Sequence, residues 1–215
     1  MASAPSEILP GLWRLEANHP EWSADGNDGW DPEVGWLALE TGDDLLLIDP
    51  LVEDWGWLDA RVAAAGGCGG VVRTIHWHQR SVAAAADRYD AQVWARQPPP
   101  ELSSGPLDQP VSDAGVLPGG VIGHWLADGD EVALWLPAQH TLVFGDAMLR
   151  QRDGTLRRCP DSWLDLGHRQ PQRLRADLEA LLHVQPEHVV VSHGPAVLGD
   201  GPAAFEPAVT RDPTA

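Results

Sequence analysis

Lysine is missing from this sequence, and every basic residue other than histidine is an arginine. The 14 arginines are outnumbered by 32 aspartates and glutamates, so the net charge is −18. A surface with this excess of negative charge repels phosphate backbones and anionic lipids. We therefore expect neither nucleic acid nor a membrane among the partners of this chain.

Cysteine is also scarce: Cys68 and Cys159 are the only two, and neither has a second cysteine at CxxC spacing. Two free thiols fit a reducing compartment, so a cytoplasmic location is expected. A disulfide between them and a role as zinc ligands remain alternatives. Residues 1–11 lack the basic and apolar regions of a signal peptide, and no apolar run has the length of a transmembrane helix.

The apolar content is sufficient for one hydrophobic core. The chain has 215 residues, of which 43% are hydrophobic and 21% are charged. This length is sufficient for one sizeable hydrophobic core and too short for two domains that each have a core of that size. We predict a folded single domain over residues 1–215.

The first half of the chain alternates between strand and helix patterns. Two helices are predicted at 53–67 and 81–90, the second beginning at a Ser81 N-cap. Apolar strand patterns surround them at 8–17, 34–52, 71–76 and 91–95, and the segment 34–52 holds two strands and a turn. Strands that alternate with helices are typical of a layered α/β sheet.

The second half contains three apolar stretches at hairpin spacing, "GVIGHWL", "EVALWLP" and "TLVFGDAM". An amphipathic helix is predicted at 170–184, followed by a buried strand within 187–194. Segments rich in turn residues predict surface loops at 17–34 and 97–119, and the tail 208–215 is expected to fray.

Three sets of polar residues lie where apolar strands end. His76 and His78 follow "VVRTI", Asp146 follows "TLVFG", and His193 follows "VVVS". In open α/β sheets ligands bind beyond the carboxyl ends of strands, so these residues are candidates for a site. Side chains two apart on an extended segment point the same way, so His76 and His78 are placed to bind one metal ion.

The order of "LLLIDP", "TIHWH", "LVFGDAM" and "VVVSHG" resembles the metallo-β-lactamase superfamily from Ile8 to about Phe205. The resemblance implies a four-layer αββα sandwich with a metal site at one edge between the sheets. The signature of that family is an H-x-H-x-D-H run, followed by a later histidine, an aspartate that ends a strand and a final histidine.

The resemblance assigns each ligand position to a residue of this chain. His76 and His78 match the first two histidines, Asp146 matches the aspartate that ends a strand, and His193 matches the final histidine. Arg80 and Ser81 stand where the run has its aspartate and its last histidine. Two residues compete for the later histidine, since Asp128 is the nearest match and His124 lies four residues earlier.

This pattern implies a reduced site with at most one zinc or iron ion. Two unit charges 4 Å apart interact by about 4 kcal/mol at an effective dielectric of 20, and a divalent ion doubles that repulsion. A second metal ion beside Arg80 is therefore not expected, and the guanidinium is expected to pair with Asp146 in its place.

The resemblance implies a hydrolase for a small ester, thioester, lactone or amide. The ligands would be His76 and His78 with Asp128 or Asp146, while Asp146 or His193 would hold or protonate substrate groups. The alternative is a member without metal or catalysis that binds a small apolar ligand or a partner protein. Site-lining candidates are Arg80, Ser81, His124 and Trp77.

Tryptophan is abundant, with 11 residues. Most tryptophans are expected in the core. The resemblance places Trp22 and Trp30 in a loop near the mouth of the site, and Trp77 separates the two histidines. A subset of these rings is expected to line an apolar pocket, because ligand pockets are mostly hydrophobic.

Overall fold

The computed structural model describes residues 4–25, 30–97, 107–126, 131–164 and 171–211. A first sheet has its strands in chain order, from β1 to β7. Its strands are β1 (Ser6–Leu9), β2 (Leu12–Asn18), β3 (Glu33–Glu40), β4 (Leu45–Ile48), β5 (Cys68–Arg73), β6 (Val93–Ala95) and β7 (Gln109–Pro110). The strands β1 to β4 are antiparallel, and β4 to β7 are parallel.

A second sheet has the order β14-β11-β10-β9-β8. Its strands are β8 (Gly115–Val116), β9 (Ile122–Leu126), β10 (Glu131–Leu136), β11 (Thr141–Phe144) and β14 (His188–Val191). The pair β11 and β14 is parallel, and the other pairs are antiparallel. A separate hairpin joins β12 (Met148–Arg150) to β13 (Leu156–Arg158).

Helices connect the strands and cover the outer faces of both sheets. They are α1 (Trp55–Ala65), α2 (Val82–Tyr89), α3 (Asp161–Leu164), α4 (Pro171–Ala180) and α5 (Gly201–Thr210). The helix α1 begins at Asp54, whose carboxylate accepts hydrogen bonds from the backbone N–H groups of Gly56 and Trp57. It ends at Gly66, where φ is 96° and a Cβ would lie 2.6 Å from a backbone oxygen, so glycine is required there.

Three apolar clusters define four layers. The middle cluster joins the inner faces of the two sheets, with Leu46 and Val72 on one side and Leu134 and Val143 on the other. A second cluster packs α1 and α2 on the first sheet. A third packs α4 and α5 on the second sheet, through residues such as Leu178. The predicted αββα sandwich is confirmed.

Several boundaries differ from the sequence predictions. The strand predicted at 8–17 is a hairpin, because Gly11 at φ 73° turns the chain between β1 and β2. The predicted loop 97–119 contains β7 and β8 within its described part, and its Val111 and Leu117 are buried between the sheets. The frayed tail predicted at 208–215 is wrong for 208–210, since this segment belongs to α5.

Two further expectations concern membranes and thiols. In the described ranges, no helix combines the length and apolar character needed to cross a bilayer. Cys68 lies on β5 and Cys159 is buried under the second sheet, and both are free thiols.

Candidate functional site

The candidate site lies where the carboxyl ends of four strands meet. Asp49 follows β4, Thr74 follows β5, Asp146 follows β11, and His193 follows β14. Two backbone hydrogen bonds join the sheets here: Val132 N–H donates to the carbonyl of Thr74 at 2.8 Å, and Gly35 N–H donates to that of Ser192 at 2.7 Å. The strand ends therefore form one rigid edge.

The segment after β5 is a series of turns and not a continued strand. The backbone N–H of His78 donates to the carbonyl of Ile75 at 3.0 Å, which closes the first turn. Trp77 and His78 line the cavity at the strand ends, whereas His76 is not among its lining residues. His76 instead packs edge-on against the Trp77 ring, with centroids 4.5 Å apart. The expectation that the two histidines lie on an extended segment is wrong.

Five side chains form a continuous network, and three of them, Asp49, His78 and Asp146, are buried. His78 Nδ1 lies 3.0 Å from Asp49 Oδ2, and His78 Nε2 lies 3.1 Å from Asp146 Oδ1. The same Asp146 oxygen lies 3.2 Å from His193 Nε2. Trp77 Nε1 donates to the other oxygen, Oδ2, at 2.6 Å. Both oxygens of Asp146 are therefore bound by side chains of this chain.

Arg80 places its guanidinium inside the site. NH1 donates to the carbonyls of Gly35 and Asp49 at 3.3 and 3.2 Å. NH2 lies 3.1 Å from His78 Nε2 and 3.5 Å from Ser192 Oγ. The predicted pairing of Arg80 with Asp146 is thus replaced by a contact to His78, which lies between them.

The charges of this network stabilise one another. Burial raises the pKa of Asp146, but the neighbouring His78 and His193 outweigh it and leave that pKa well below its ordinary value. Burial and Arg80 lower the pKa of His78, and the carboxylates of Asp146 and Asp49 reverse this shift, so the net direction is upward. Burial also lowers the pKa of the Arg80 guanidinium. The Arg80 guanidinium and the His78 imidazole therefore lie beside two buried carboxylates.

Two buried charged residues support the site, and the sequence analysis missed both. Glu131 is fully buried, and its carboxylate accepts from the backbone N–H groups of Gly145, Asp146 and Ala147 at 2.7–3.0 Å. Arg14 donates to the carbonyls at Val191 and Gly194 at 2.8 and 2.7 Å, on both sides of His193. Each could have been identified in the sequence as a charged residue inside an apolar strand pattern, in "LWRLEA" for Arg14 and in "EVALWL" for Glu131.

A cavity of about 430 Å³ opens onto the network. Three of its lining residues are tryptophans, Trp30, Trp77 and Trp163. The His193 ring packs edge-on against Trp30 and Trp163, with centroids 5.1 and 5.4 Å away. The other lining residues are His19, Glu21, His78, Arg80, Asp146 and His193. The cavity therefore has aromatic walls, and the polar and charged side chains of the network form its floor.

A second cavity, of about 530 Å³, shares Trp30 and His193 with the first. Its other lining residues include Trp22, Arg150, Arg152 and Arg157 together with Asp31, Glu33 and Asp153. The loop that carries Trp22 and Trp30 therefore borders both cavities, and Trp22 Nε1 donates to the Trp30 carbonyl at 3.0 Å.

No family model matches this sequence, and no curated protein matches it. Solved structures do match. A metallo-beta-lactamase from Pontibacter korlensis superposes with a TM-score of 0.71 at 16% identity, over 98% of both chains. The protein TMB-1 gives 0.72 at 12% identity, over 97% of this chain and 96% of its own.

The chain has the metallo-β-lactamase fold. FIM-1 from Pseudomonas aeruginosa, solved in a mono-zinc form, is a further example, with a TM-score of 0.67 at 13% identity over 98% of this chain and 97% of its own. Identities this low establish the fold alone. The four-layer architecture implied by the resemblance is confirmed.

Two other predicted site residues lie away from the cavity of this metallo-β-lactamase fold. The hydroxyl of Ser81 accepts from the backbone N–H of Val52 at 2.9 Å, and Ser81 does not line the cavity. His124 lies on β9, where Asp113 and His183 are its charged neighbours, and burial lowers its pKa. Asp128 lies outside the described residues.

The residues present do not fit the metal centre that the metallo-β-lactamase fold implies. In the parts of the chain that the structure describes, no group of three or more His, Cys, Asp or Glu side chains is arranged to hold an ion. His78 Nε2 is approached by both Asp146 and Arg80, so a cationic guanidinium already occupies the space beside the best candidate ligand. A metal would have to displace it.

Proposed function

We propose that this protein binds a small, largely apolar organic molecule in its tryptophan-lined cavity, and that binding needs no metal ion. The observation that carries the proposal is the network beneath the cavity. His78, Asp146 and His193 bind one another, and Arg80 and Trp77 contact the same groups. Side chains that contact one another this closely are organised as a floor for a ligand and not as an open set of metal ligands.

The size and lining of the cavity support this proposal. A volume of about 430 Å³ falls within the range of about 300–1,000 Å³ that is typical of small-molecule sites. Such sites are mostly apolar, with a few polar groups that fix the orientation of the ligand. Trp30, Trp77 and Trp163 supply the apolar walls, and His193 and Arg80 supply polar groups.

The charge balance favours a neutral ligand. The Arg80 guanidinium lies beside the carboxylates of Asp49 and Asp146, and these carboxylates raise the pKa of His78, so the floor brings opposite charges together. A strongly charged ligand would be desolvated on this floor, which is costly. An aromatic ring that carries one polar substituent matches both the walls and the floor.

The family's hydrolase activity is a second candidate, and the observation that favours it is the fold. Several solved structures with this fold are described as metallo-beta-lactamases, and one of them as a mono-zinc form. The contact between Arg80 and His78 counts against it, because a cation must leave before a metal ion can approach.

Tryptophan fluorescence and calorimetry distinguish the two candidates. The chelator-treated protein is titrated with 2-naphthol, a neutral aromatic alcohol, and with coumarin, a neutral aromatic lactone. We expect saturable binding of at least one probe, and binding weaker by up to about tenfold after Trp163→Ala, since an aromatic contact contributes about 0.5–1.5 kcal/mol beyond its buried area.

The matched control is Trp125→Ala, because Trp125 lies on β9 outside the cavity and is 38% exposed. That variant should bind the probes as the wild type does. The proposal is wrong if binding disappears after chelation and returns with zinc, and coumarin hydrolysis in the zinc-loaded protein would establish the hydrolase instead.

A further inference from the structure

Arg80 is held in a backbone conformation that L-amino acids rarely adopt. Its φ is 35°, in the left-handed region, where a long side chain is disfavoured. The next residue fixes this conformation: the Ser81 N–H donates to the carbonyl of Pro50 at 2.9 Å, and its hydroxyl accepts from Val52. The strained backbone turns the guanidinium inward, over His78.

A second residue of the site is held in the same way. Asp49 has a φ of 49°, and its carboxylate accepts from the N–H of Thr74 at 2.8 Å and from His78 Nδ1. Two non-glycine residues with positive φ, the anionic Asp49 and the cationic Arg80, thus contact the imidazole of His78. Strain of this kind persists only where the surrounding contacts determine it, and it concentrates at functional sites.

Three donor atoms beneath the guanidinium lie close to one another, although among the described residues no group of three His, Cys, Asp or Glu side chains is arranged to hold an ion as it stands. Asp146 Oδ1 lies 3.1 Å from His78 Nε2 and 3.2 Å from His193 Nε2. In a tetrahedral zinc site, bonds of about 2.0–2.1 Å place neighbouring donor atoms about 3.3 Å apart. The atoms His78 Nε2, Asp146 Oδ1 and His193 Nε2 form what we call the donor face. Arg80 NH2 lies 3.1 Å from one of them.

We propose that the Arg80 guanidinium is a built-in cation that takes the place of a metal ion at the donor face. Its charge compensates Asp49 and Asp146, and its bulk and charge exclude a metal from His78. The inference deepens the proposed metal-independent binding site and rests on it. It also differs from the assignment made by sequence, because the donor face excludes His76.

Cobalt(II) is the probe for the donor face, because its visible absorption reports coordination directly and does not depend on any activity. Wild-type protein should show no cobalt absorption beyond that of the free ion. Arg80→Ala removes the guanidinium and opens space above the three donors, so this variant should bind one cobalt ion per chain. Adding His193→Ala should abolish the absorption, whereas adding His76→Ala should preserve it.

Guanidinium ion itself tests the replacement from the other direction. Arg80→Ala leaves two buried carboxylates with one cation fewer, and the expected fall in Tm is about 6–20 °C. Guanidinium chloride at low millimolar concentration should raise the Tm of this variant and displace its cobalt. Sodium chloride and urea at the same concentrations should do neither, and the wild-type Tm should not rise.

Arg80→Lys keeps the charge and is the second variant if Arg80→Ala does not fold. It should stay free of cobalt at concentrations where Arg80→Met, which is neutral and of similar length, binds the ion. Cobalt binding by the wild type would overturn the inference, and so would the absence of cobalt from folded Arg80→Ala or Arg80→Met. These outcomes are independent of 2-naphthol and coumarin binding, so failure of the proposed ligand site would be recognised separately.

Discussion

The indole Nε1 of Trp77 donates to the Asp146 carboxylate at 2.6 Å, and this bond joins the turn after β5 to the end of β11. Trp77 stands between the two histidines that the sequence singles out. It binds Asp146 Oδ2, whereas His193 contacts Oδ1. A residue that the sequence predicts to line the site therefore binds its central carboxylate.

Trp77→Phe keeps most of the ring but removes this N–H donor. A buried carboxylate oxygen would lose a charged hydrogen bond, so the free energy of unfolding should fall by about 1.5–3 kcal/mol. Urea unfolding measures the change. Trp125→Phe is the matched control, because Trp125 Nε1 donates at 3.0 Å to a neutral carbonyl, that of Val111. Its expected loss is about 0.5–1.5 kcal/mol, and equal losses in the two variants would contradict the assigned role of Trp77.

Glu131→Ala should be among the most destabilising single substitutions at the site. It would leave three buried backbone N–H groups at 145–147 without their acceptor, and each such group costs about 1–3 kcal/mol. We expect a loss of at least about 3 kcal/mol in urea unfolding. Glu179→Ala, which removes an exposed carboxylate paired with Arg175, should change stability by less than about 0.5 kcal/mol.

The free energy of unfolding should be highest over an intermediate pH range and should fall at both lower and higher pH. The pKa values of Asp49 and Asp146 are lowered on folding, so their contribution is present above pH of about 4 and is lost as the pH falls further. The pKa of His78 is raised, so its contribution is complete below pH of about 6.5 and is lost as the pH rises through the folded value.

The unfolding free energy measured from pH 3 to pH 9 should therefore be highest between about pH 4 and pH 6.5. His78→Gln should flatten the alkaline side of the profile relative to the wild type. An alkaline decline that survives unchanged in this variant would show that another group is responsible.

Rebuilding the family's H-x-H-x-D-H run with Arg80→Asp and Ser81→His should not create a metal site that uses both introduced side chains. The Ser81 side chain is directed to the backbone of Val52 and does not line the cavity, so an imidazole at 81 has no path to the donor face. Metal analysis of the folded double variant should give the same content as Arg80→Asp alone. An additional ion in the double variant would place residue 81 in the site.

The sequence by itself determined the layers of this fold. Apolar runs such as "LLLI" and "TLVF" predict buried strands, and the helix patterns between strands predict a layered α/β sheet. The resemblance to the metallo-β-lactamase superfamily implies the four-layer order. The sequence also placed Asp146 and His193 at strand ends, because side-chain periodicity and strand length are local properties of the chain. It did not single out Asp49.

The tertiary structure decided which of these residues meet, and how. The alternating pattern predicts an extended segment at 76–78. Hydrogen bonds to the carbonyls of Ile75 and Pro50 instead fold this part of the chain into turns, and Trp77 and His78 line the cavity in place of His76. The partners of Arg80 are carbonyls at 35 and 49 and an imidazole, which sequence spacing does not reveal. Contacts between strand ends that are far apart in the chain depend on the packing of the two sheets, and only the folded chain fixes that geometry.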